Sequence, residues 1–244
     1  MEKSKYNMEK ICLINQPAGI GDVFFLQKVC HFYISKGYVV YYPLLPELMF
    51  IKNYIKVENL NFVSINDDFP QKKFFTKNSP IFTEELVFLP LRIADLYFPN
   101  ISCMEAKYKM VNINFDDWDK YFSFERNIES ENSLYYDILN LKDDEKYFLV
   151  SNKWGTPPNT NYKDIFFDNS MKIVNIDLIE GFTIFDWCKV IENAEGISIV
   201  DTAFNYIIDK LNLKTEKLYL TSRFTPANFT HIINLFKKNW ILLN

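Results

Sequence analysis

Apolar and polar positions near the start of the chain follow the pattern of a strand, a glycine turn and a helix. Residues 10–15 (KICLIN) form a short apolar run typical of a buried strand, and residues 16–22 form a turn rich in glycine and proline. Residues 23–36 carry apolar side chains at helical spacing, and Gly37 is a suitable helix stop. Residues 38–42 predict a second strand. This order is typical of the start of a doubly wound α/β domain.

The rest of the first half is less regular. Apolar runs at residues 61–65 and 86–89 predict two further strands, and residues 66–80 between them predict an exposed loop. Residues 103–110 favour a helix. Residues 116–140 are charged, aromatic and mostly helical in pattern, and we interpret them as the bridge between two halves of the chain.

The second half alternates predicted strands and helices about every 10–15 residues, which favours a parallel sheet. Thr183 is the predicted N-cap of one of the helices. The predicted strands comprise residues 147–151, 172–176, 196–200 and 217–220, and the predicted helices comprise residues 183–194, 201–211 and 226–237.

Together the two halves predict an α/β fold with two Rossmann-like domains facing each other across a cleft. We expect an N-terminal domain over residues 1–125, a linker or bridging helix over residues 126–144 and a C-terminal domain over residues 145–244. A chain of 244 residues is long enough for two small domains, and its composition of 48% hydrophobic and 24% charged residues predicts a packed globule.

Charge and composition argue against several classes of function. A net charge of −4 is a poor match to a nucleic-acid binder, which usually carries a basic face. The N-terminal residues lack the apolar core of a signal peptide, and no apolar run is long enough for a transmembrane segment. We therefore expect a soluble, cytoplasmic protein. The cysteines are scattered without a CxxC pair and do not cluster with histidine, which predicts a reducing compartment and no metal site: Cys12, Cys30, Cys103 and Cys188.

The glycine turn after the first predicted strand is the first candidate site. Gly19 and Gly21 permit positive φ angles and close backbone approach, and Asp22 lies at or near the start of the following helix. A helix N-terminus there favours an anion above the edge of the sheet. The turn is not the dinucleotide fingerprint, because Phe24 stands where the third glycine is required. The alternative is an aspartate that only caps a helix.

Two further candidates follow predicted strands of the second half, where ligands bind in open α/β sheets. Asp201, Thr202 and Ala203 begin a helix directly after a strand. The backbone N–H groups of Thr202 and Ala203 are candidates for holding a phosphate, and Asp201 is a candidate for binding sugar hydroxyls. Lys153 is a candidate for pairing with a diphosphate that Asn152 orients. The alternatives are a helix-capping aspartate and a solvated surface lysine.

A fourth pattern is the DxD formed by Asp117, Trp118 and Asp119. Metal-dependent sugar transferases use such a pair of carboxylates to hold a divalent ion on a diphosphate. Here the pair lies in a charged run beside Asp116, and no clear strand precedes it. An exposed acidic surface is therefore the favoured interpretation.

The first and second candidate sites together resemble one particular family. The opening LINQPAGIGDVFFLQKV is similar to the start of the heptosyltransferase-like family of GT-B glycosyltransferases, family 9, in which a strand, a G-[IL]-G-D turn and a helix begin the chain. The segment GFTIFDWCKVIENAEGISIVDTAFNYIIDKLN resembles the donor-domain run of that family. The resemblance covers about 70 residues well and extends loosely over the rest of the second half.

This resemblance implies a sugar transferase of compact GT-B fold. By carry-over, Asp22 matches the aspartate thought to act as general base, and Asp201 and Thr202 match the donor-contacting Asp-Thr pair. The family often has histidine four or five residues after that aspartate, where this chain has Asn205 and Tyr206. We therefore expect transfer of a sugar from a nucleotide-sugar to a hydroxyl of a glycan or other acceptor in carbohydrate biosynthesis, with inversion and without a metal or further cofactor.

Two alternatives stay open at this stage. One is a GT-A transferase that holds a metal with Asp117 and Asp119. The other is a non-catalytic α/β module that binds a sugar or nucleotide. The sequence leaves the donor, the acceptor and the oligomeric state undetermined.

Overall fold

The computed structural model describes residues 9–155, 160–229, 232 and 235–243. The chain divides into two compact units, the first ending at Glu125 and the second beginning at Arg126. Within the described residues, none of the helices combines the length and apolar character needed to cross a bilayer.

The first unit contains a five-stranded sheet with the strand order β3-β2-β1-β5-β4. All neighbouring strands are parallel except β4 and β5, which are antiparallel. Short 3-10 helices cover residues Pro46–Asn53, Lys72–Phe74, Leu91–Ile93 and Trp118–Lys120. The strands are β1 (Lys10–Ile14), β2 (Tyr38–Leu44), β3 (Leu60–Ser64), β4 (Ile81–Phe82) and β5 (Leu86–Leu89), and the helices are α1 (Ile20–Phe25), α2 (Gln27–Ile34), α3 (Ala94–Tyr97) and α4 (Cys103–Met110).

Strand β1 is the centre of this sheet, and its sequence explains why. Cys12, Leu13 and Ile14 are fully buried. A parallel strand covered on both faces is apolar at successive positions rather than at alternate ones. Cys12 lies opposite Val40 of β2 on one side and Val87 of β5 on the other. The apolar run therefore places the residues that follow β1 at the middle of the sheet's carboxyl edge.

The second unit contains a five-stranded sheet, ordered β12-β11-β10-β6-β9, whose neighbouring strands are all parallel, together with a small antiparallel β7–β8 hairpin. A π-helix (Ser133–Ile138) continues α5, and a 3-10 helix (Ile184–Trp187) leads into α6. The strands are β6 (Tyr147–Ser151), β7 (Lys153–Trp154), β8 (Asn161–Tyr162), β9 (Lys172–Asn175), β10 (Gly196–Val200), β11 (Leu218–Thr221) and β12 (Ile241–Leu243), and the helices are α5 (Ile128–Asn132), α6 (Cys188–Asn193) and α7 (Phe204–Lys210).

Local interactions explain how this second sheet assembles. Gly196 lies opposite Phe148 of β6, and a Cβ at Gly196 would come within 2.4 Å of the Phe148 ring. Only glycine therefore fits at the start of β10. Thr183 caps the helical segment before α6, where the Asp186 carboxylate accepts a hydrogen bond from the Thr183 backbone N–H at 2.6 Å. This reciprocal capping box confirms the N-cap predicted at Thr183.

The two sheets, parallel apart from the β4–β5 pair, confirm the predicted α/β class with two Rossmann-like units. The helix predicted over residues 23–36 is divided at Leu26 and begins earlier, at Ile20. The loop predicted over residues 66–80 contains a short 3-10 helix. The helix predicted over residues 226–237 lies partly outside the described residues, and residues 226–229 are not helical.

Residues 126–144 pack within the second unit. The guanidinium of Arg126 forms ion pairs with Glu131 of the same segment and with Glu192 of α6. The side chain of Glu131 is only 1% exposed. Because a buried carboxylate requires a positive partner, this triad fixes α5 to α6.

Candidate functional site

The carboxyl end of β1 is the topological switch point of the first sheet. The chain builds β2 and β3 on one side of β1 and then places β5 on the other side. Ligands of open α/β sheets bind in the crevice that such a reversal leaves outside the carboxyl ends of the strands. The turn with Gly19, Gly21 and Asp22 follows β1 directly and therefore lies at this position.

Gly19 and Asp22 form a close local structure at the start of α1. Gly19 is the N-cap, with φ of 88°, a conformation that L side chains rarely adopt. Asp22 is the third residue of the helix and lies in its first turn, and Gly19 is the N-cap. A Cβ at Gly19 would lie 2.2 Å from Asp22 Oδ2, so the carboxylate lies directly over this glycine. Gly21 lies in the first turn of α1, and its predicted role as an anion-binding amide stays a prediction.

Lys107 of α4 is the ion-pair partner of Asp22, and sequence reasoning missed it. Its ammonium donates to Asp22 Oδ1, and the side chains are 8% and 21% exposed for lysine and aspartate respectively. The fully buried Tyr42 of β2 is also near this charge. Burial raises the pKa of Tyr42 well above its usual range, and the charge of Asp22 raises it further. The Asp22 carboxylate thus lies over Gly19, forms an ion pair with the buried Lys107 and is near the buried Tyr42.

The second sheet has its own switch point, between β6 and β10. From β6 the chain adds β9 on one side and then crosses to place β10 on the other. Ile199 of β10 lies opposite Ser151 of β6, so the two strands end side by side. Asn152 and Lys153 follow β6 and Asp201 follows β10, and the structure therefore brings these predicted residues to one sheet edge.

Asp201 is buried and engaged, rather than open to a ligand. The residue is 3% exposed. Its Oδ1 accepts a hydrogen bond from the backbone N–H of Arg223 at 2.7 Å, and its Oδ2 lies 3.3 Å from Arg223 Nε. Asp201 therefore orients the loop after β11, and its proposed contact with sugar hydroxyls has no direct support in this geometry.

The start of α7 is internally capped. The backbone N–H of Thr202 donates to Asn205 Oδ1 at 2.8 Å, so this predicted phosphate ligand already has an acceptor. Ala203 is the N-cap residue of α7. Asn205 stands four residues after Asp201, where the similar family often has histidine. Asn205 is fully buried, and its Oδ1 binds the backbone just before α7.

Lys153 lies on the short strand β7 and pairs with Asp177, which follows β9. The hydrogen bond to Asp177 raises the pKa of Lys153 above its ordinary value. The backbone carbonyl of Asn152 accepts a hydrogen bond from the backbone N–H of Lys163 at 3.1 Å. Lys163 and Arg223 are cationic residues at this edge that sequence reasoning missed, because no motif surrounds either of them.

The residues of the DxD segment contact other parts of the first unit. Trp118 is fully buried, and Asp117 forms an ion pair with Lys28 of α2. The hydrogen bond from Lys28 lowers the pKa of Asp117 below its ordinary value. Across residues 9–155 and the other described parts of the chain, no group of three or more His, Cys, Asp or Glu side chains is arranged to hold a metal ion. Trp118, the middle residue of the DxD, is part of the core of the first unit because its side chain is fully buried.

Comparison with known proteins identifies similar folds. No protein-family model and no curated protein sequence matches this chain. A glycosyl transferase of family 9 from Veillonella parvula DSM 2008 matches with a TM-score of 0.54 and 10% identity, over 100% of this chain and 88% of that chain. TibC, an iron-containing dodecameric glycosyltransferase from enterotoxigenic E. coli H10407, matches with a TM-score of 0.51 and 6% identity, over 96% of this chain.

The two comparisons agree with the resemblance found in the sequence motifs and show the same fold. The chain spans 62% of the length of TibC. At 10% and 6% identity, they establish similarity of fold and leave the activity to be argued from the site.

Proposed function

We propose that this chain is a glycosyltransferase that moves a sugar from a nucleotide-sugar to an acceptor hydroxyl, with inversion and without a metal ion. The observation that supports it best is the position of the candidate residues. Asp22 follows the central strand of one Rossmann-like sheet, and Asn152, Lys153 and Asp201 follow neighbouring strands of the other, each at a switch point. The fold is similar to that of family 9 glycosyltransferases.

In the proposed reaction, the unit up to Glu125 provides the acceptor side, and the unit from Arg126 binds the donor through residues 145–244. Asp22 accepts the proton of the acceptor hydroxyl. The hydroxyl oxygen attacks the anomeric carbon from the face opposite the leaving group, a new C–O bond forms, and the bond to the diphosphate breaks. The electron pair leaves with the nucleoside diphosphate, whose charge is met by cationic side chains.

The turn at Gly19 supplies a direct test of whether the position of Asp22 matters. Gly19→Ala introduces a Cβ 2.2 Å from Asp22 Oδ2 at a φ of 88° and should displace the carboxylate. Displacement of a reacting group by about 1 Å costs up to ~10²-fold in rate, so we expect turnover to fall at least about 10-fold. Steady-state kinetics of sugar transfer measure this.

Gly37→Ala is the matched control. Gly37 has φ of 81°, and a Cβ there meets nothing within 4 Å. Backbone strain should cost each variant about 1–2 kcal/mol of folding stability, measured by urea denaturation. Gly19→Ala should lose more than Gly37→Ala because its Cβ also meets Asp22, and only Gly19→Ala should lose turnover. Equal turnover in the two variants would contradict a catalytic role for the carboxylate above Gly19.

Metal dependence separates the proposal from the GT-A alternative. We expect sugar transfer to proceed in EDTA, and we expect Asp119→Ala to retain turnover within about 3-fold, because the proposed reaction uses no metal-binding carboxylate. The measurement is the transfer rate with EDTA, Mg²⁺ and Mn²⁺ for both proteins. The GT-A alternative would be favoured if sugar transfer required Mg²⁺ or Mn²⁺ and if Asp119→Ala abolished this metal-dependent transfer.

A further inference from the structure

We propose that Lys163, which follows β8, and Arg223, on the loop that follows β11, together form the seat for the diphosphate of the donor. This inference rests on the proposed function and names the residues that bind the diphosphate of its donor. The seat differs from the expected one, in which Lys153 meets the diphosphate. Four observations carry it: the rigidity of the loop, the orientation of Arg223, the hydrogen bonds of Lys163 and the distribution of charge.

The loop after β11 is organised around a buried hydroxyl. Ser222 is fully buried. Its Oγ accepts hydrogen bonds from the backbone N–H groups of Phe224 at 3.1 Å and Asn228 at 3.0 Å, and it donates to the Asn228 carbonyl at 3.0 Å. A side chain that satisfies both ends of a seven-residue span fixes the backbone between them, so the residues presented by this loop have a defined direction.

Arg223 is anchored by its own backbone and by one side of its guanidinium. Asp201 accepts from the Arg223 N–H at 2.7 Å and faces Nε at 3.3 Å. The Arg223 side chain is nevertheless 39% exposed, while Asp201 is 2% exposed. A guanidinium carries five N–H donors, so the pairing of Nε with Asp201 leaves donors of this partly exposed side chain for a ligand. The buried aspartate thus orients a cation at the sheet edge.

Lys163 binds the same loop on both sides of Arg223. Its Nζ donates to the carbonyl oxygens of Ser222 at 2.9 Å and Phe224 at 3.1 Å. An ammonium group has three protons, so one donor remains after these two bonds. Lys163 also lines an open pocket of about 510 Å³ together with Thr225, Pro226 and Ala227. A ligand therefore has space beside Lys163 at this loop.

The distribution of charge distinguishes Lys163 from its neighbours. Lys153 pairs with Asp177, and Arg223 pairs with Asp201, so each of these cations faces a carboxylate. The hydrogen-bond acceptors of Lys163 within the described chain are neutral carbonyl oxygens. A cation held by neutral groups retains its full attraction for an anion. Asp164 follows Lys163 in sequence and is exposed.

A diphosphate fits this combination of donors. Arginine binds phosphate oxygens through parallel N–H groups in a planar fork, and lysine binds them as a point charge. Arg223 lies on the loop at the carboxyl end of β11, and Lys163, which follows β8, binds the carbonyl groups of that loop on both sides of Arg223. Strand β11 neighbours β10, whose carboxyl end lies at the switch point of this sheet, where ligands of open α/β sheets bind. The diphosphate is therefore the part of a nucleotide-sugar that this seat recognises.

Isothermal titration calorimetry of the full chain in EDTA tests the seat, with UDP, GDP, ADP and inorganic pyrophosphate as probes. Lys163→Gln should weaken the best nucleoside diphosphate by about 10- to 100-fold, the usual effect of a charged hydrogen bond. Arg223→Lys keeps a positive partner for the buried Asp201 but removes the fork, and should weaken binding about 5- to 10-fold. Lys217→Gln is the matched control, because this exposed lysine lies at the opposite, amino end of β11.

The outcomes separate the seat from the proposed function. Wild-type affinity in both Lys163→Gln and Arg223→Lys, with a loss in Lys153→Gln instead, would overturn the seat and leave the proposed function standing. Equal affinity of the wild type for pyrophosphate and every nucleoside diphosphate would overturn assignment to a nucleotide-sugar. Loss of binding in the seat variants, with no nucleotide-sugar consumed by the wild type, would support the seat and contradict sugar transfer.

Discussion

Asp22→Asn is expected to lower the turnover of sugar transfer by about 10²–10⁴-fold, the usual contribution of a general base. Asparagine has nearly the same size as aspartate and still accepts a hydrogen bond from Lys107, but it does not take up the acceptor proton. Donor affinity and melting temperature should change little. The measurement is kcat with saturating donor, together with calorimetric affinity for the donor and thermal denaturation.

Asp95→Asn is the matched control for this change. Asp95 is an exposed aspartate in the first turn of α3, in the same unit as Asp22. The control should retain wild-type turnover. Near-normal turnover in Asp22→Asn would remove the base assignment, and a large fall in melting temperature would show that Asp22 stabilises the fold through its ion pair with Lys107.

Trp118→Ala is expected to lower the free energy of unfolding by about 3–5 kcal/mol, as for other large aromatic residues removed from a core. Trp118 is fully buried. Its ring lies 5.7 Å from that of Phe25 in an edge contact and 6.3 Å from that of Phe122 in a stacked one. Removal of the indole leaves a cavity between α1 and the segment after α4. Urea denaturation measures the loss.

Tyr121→Ala is the comparison, because Tyr121 follows the same 3-10 helix and is 36% exposed. It should cost about 1 kcal/mol, as most partly exposed substitutions do. Equal costs for the two variants would contradict the placement of Trp118 in the core. Equal costs would also favour the alternative in which the DxD segment forms a binding surface and is not part of the core.

The strands of both sheets were predictable because parallel strands buried on both faces are continuous apolar runs. Residues 10–15, 147–151 and 196–200 show this pattern, and all three form central strands. The exact start of α1 was less predictable. Gly19 adopts a positive φ and caps the helix without a side chain, so no Ser, Thr, Asp or Asn marks the N-cap.

The partners of the candidate residues were not predictable from the sequence. Lys107 meets Asp22 across 85 residues, and Arg223 meets Asp201 across 22. Such pairs depend on which helices and loops pack together, and each lysine or arginine alone resembles any solvated cation. Asp201 was correctly placed at the end of β10, but its burial against Arg223 follows from the neighbouring strand β11, which the local motif does not encode.

The central claim is that the chain transfers a sugar from a nucleotide-sugar, and release of nucleoside diphosphate tests it most directly. The full chain is incubated in EDTA with a panel of nucleotide-sugars and a pool of hydroxyl acceptors, and released nucleoside diphosphate is quantified beside Asp22→Asn. We predict that the wild type consumes one donor and places its sugar on an acceptor, and that Asp22→Asn releases about 10²–10⁴-fold less. Binding of a nucleotide-sugar without release of diphosphate from any donor would contradict the claim and favour a non-catalytic binding module.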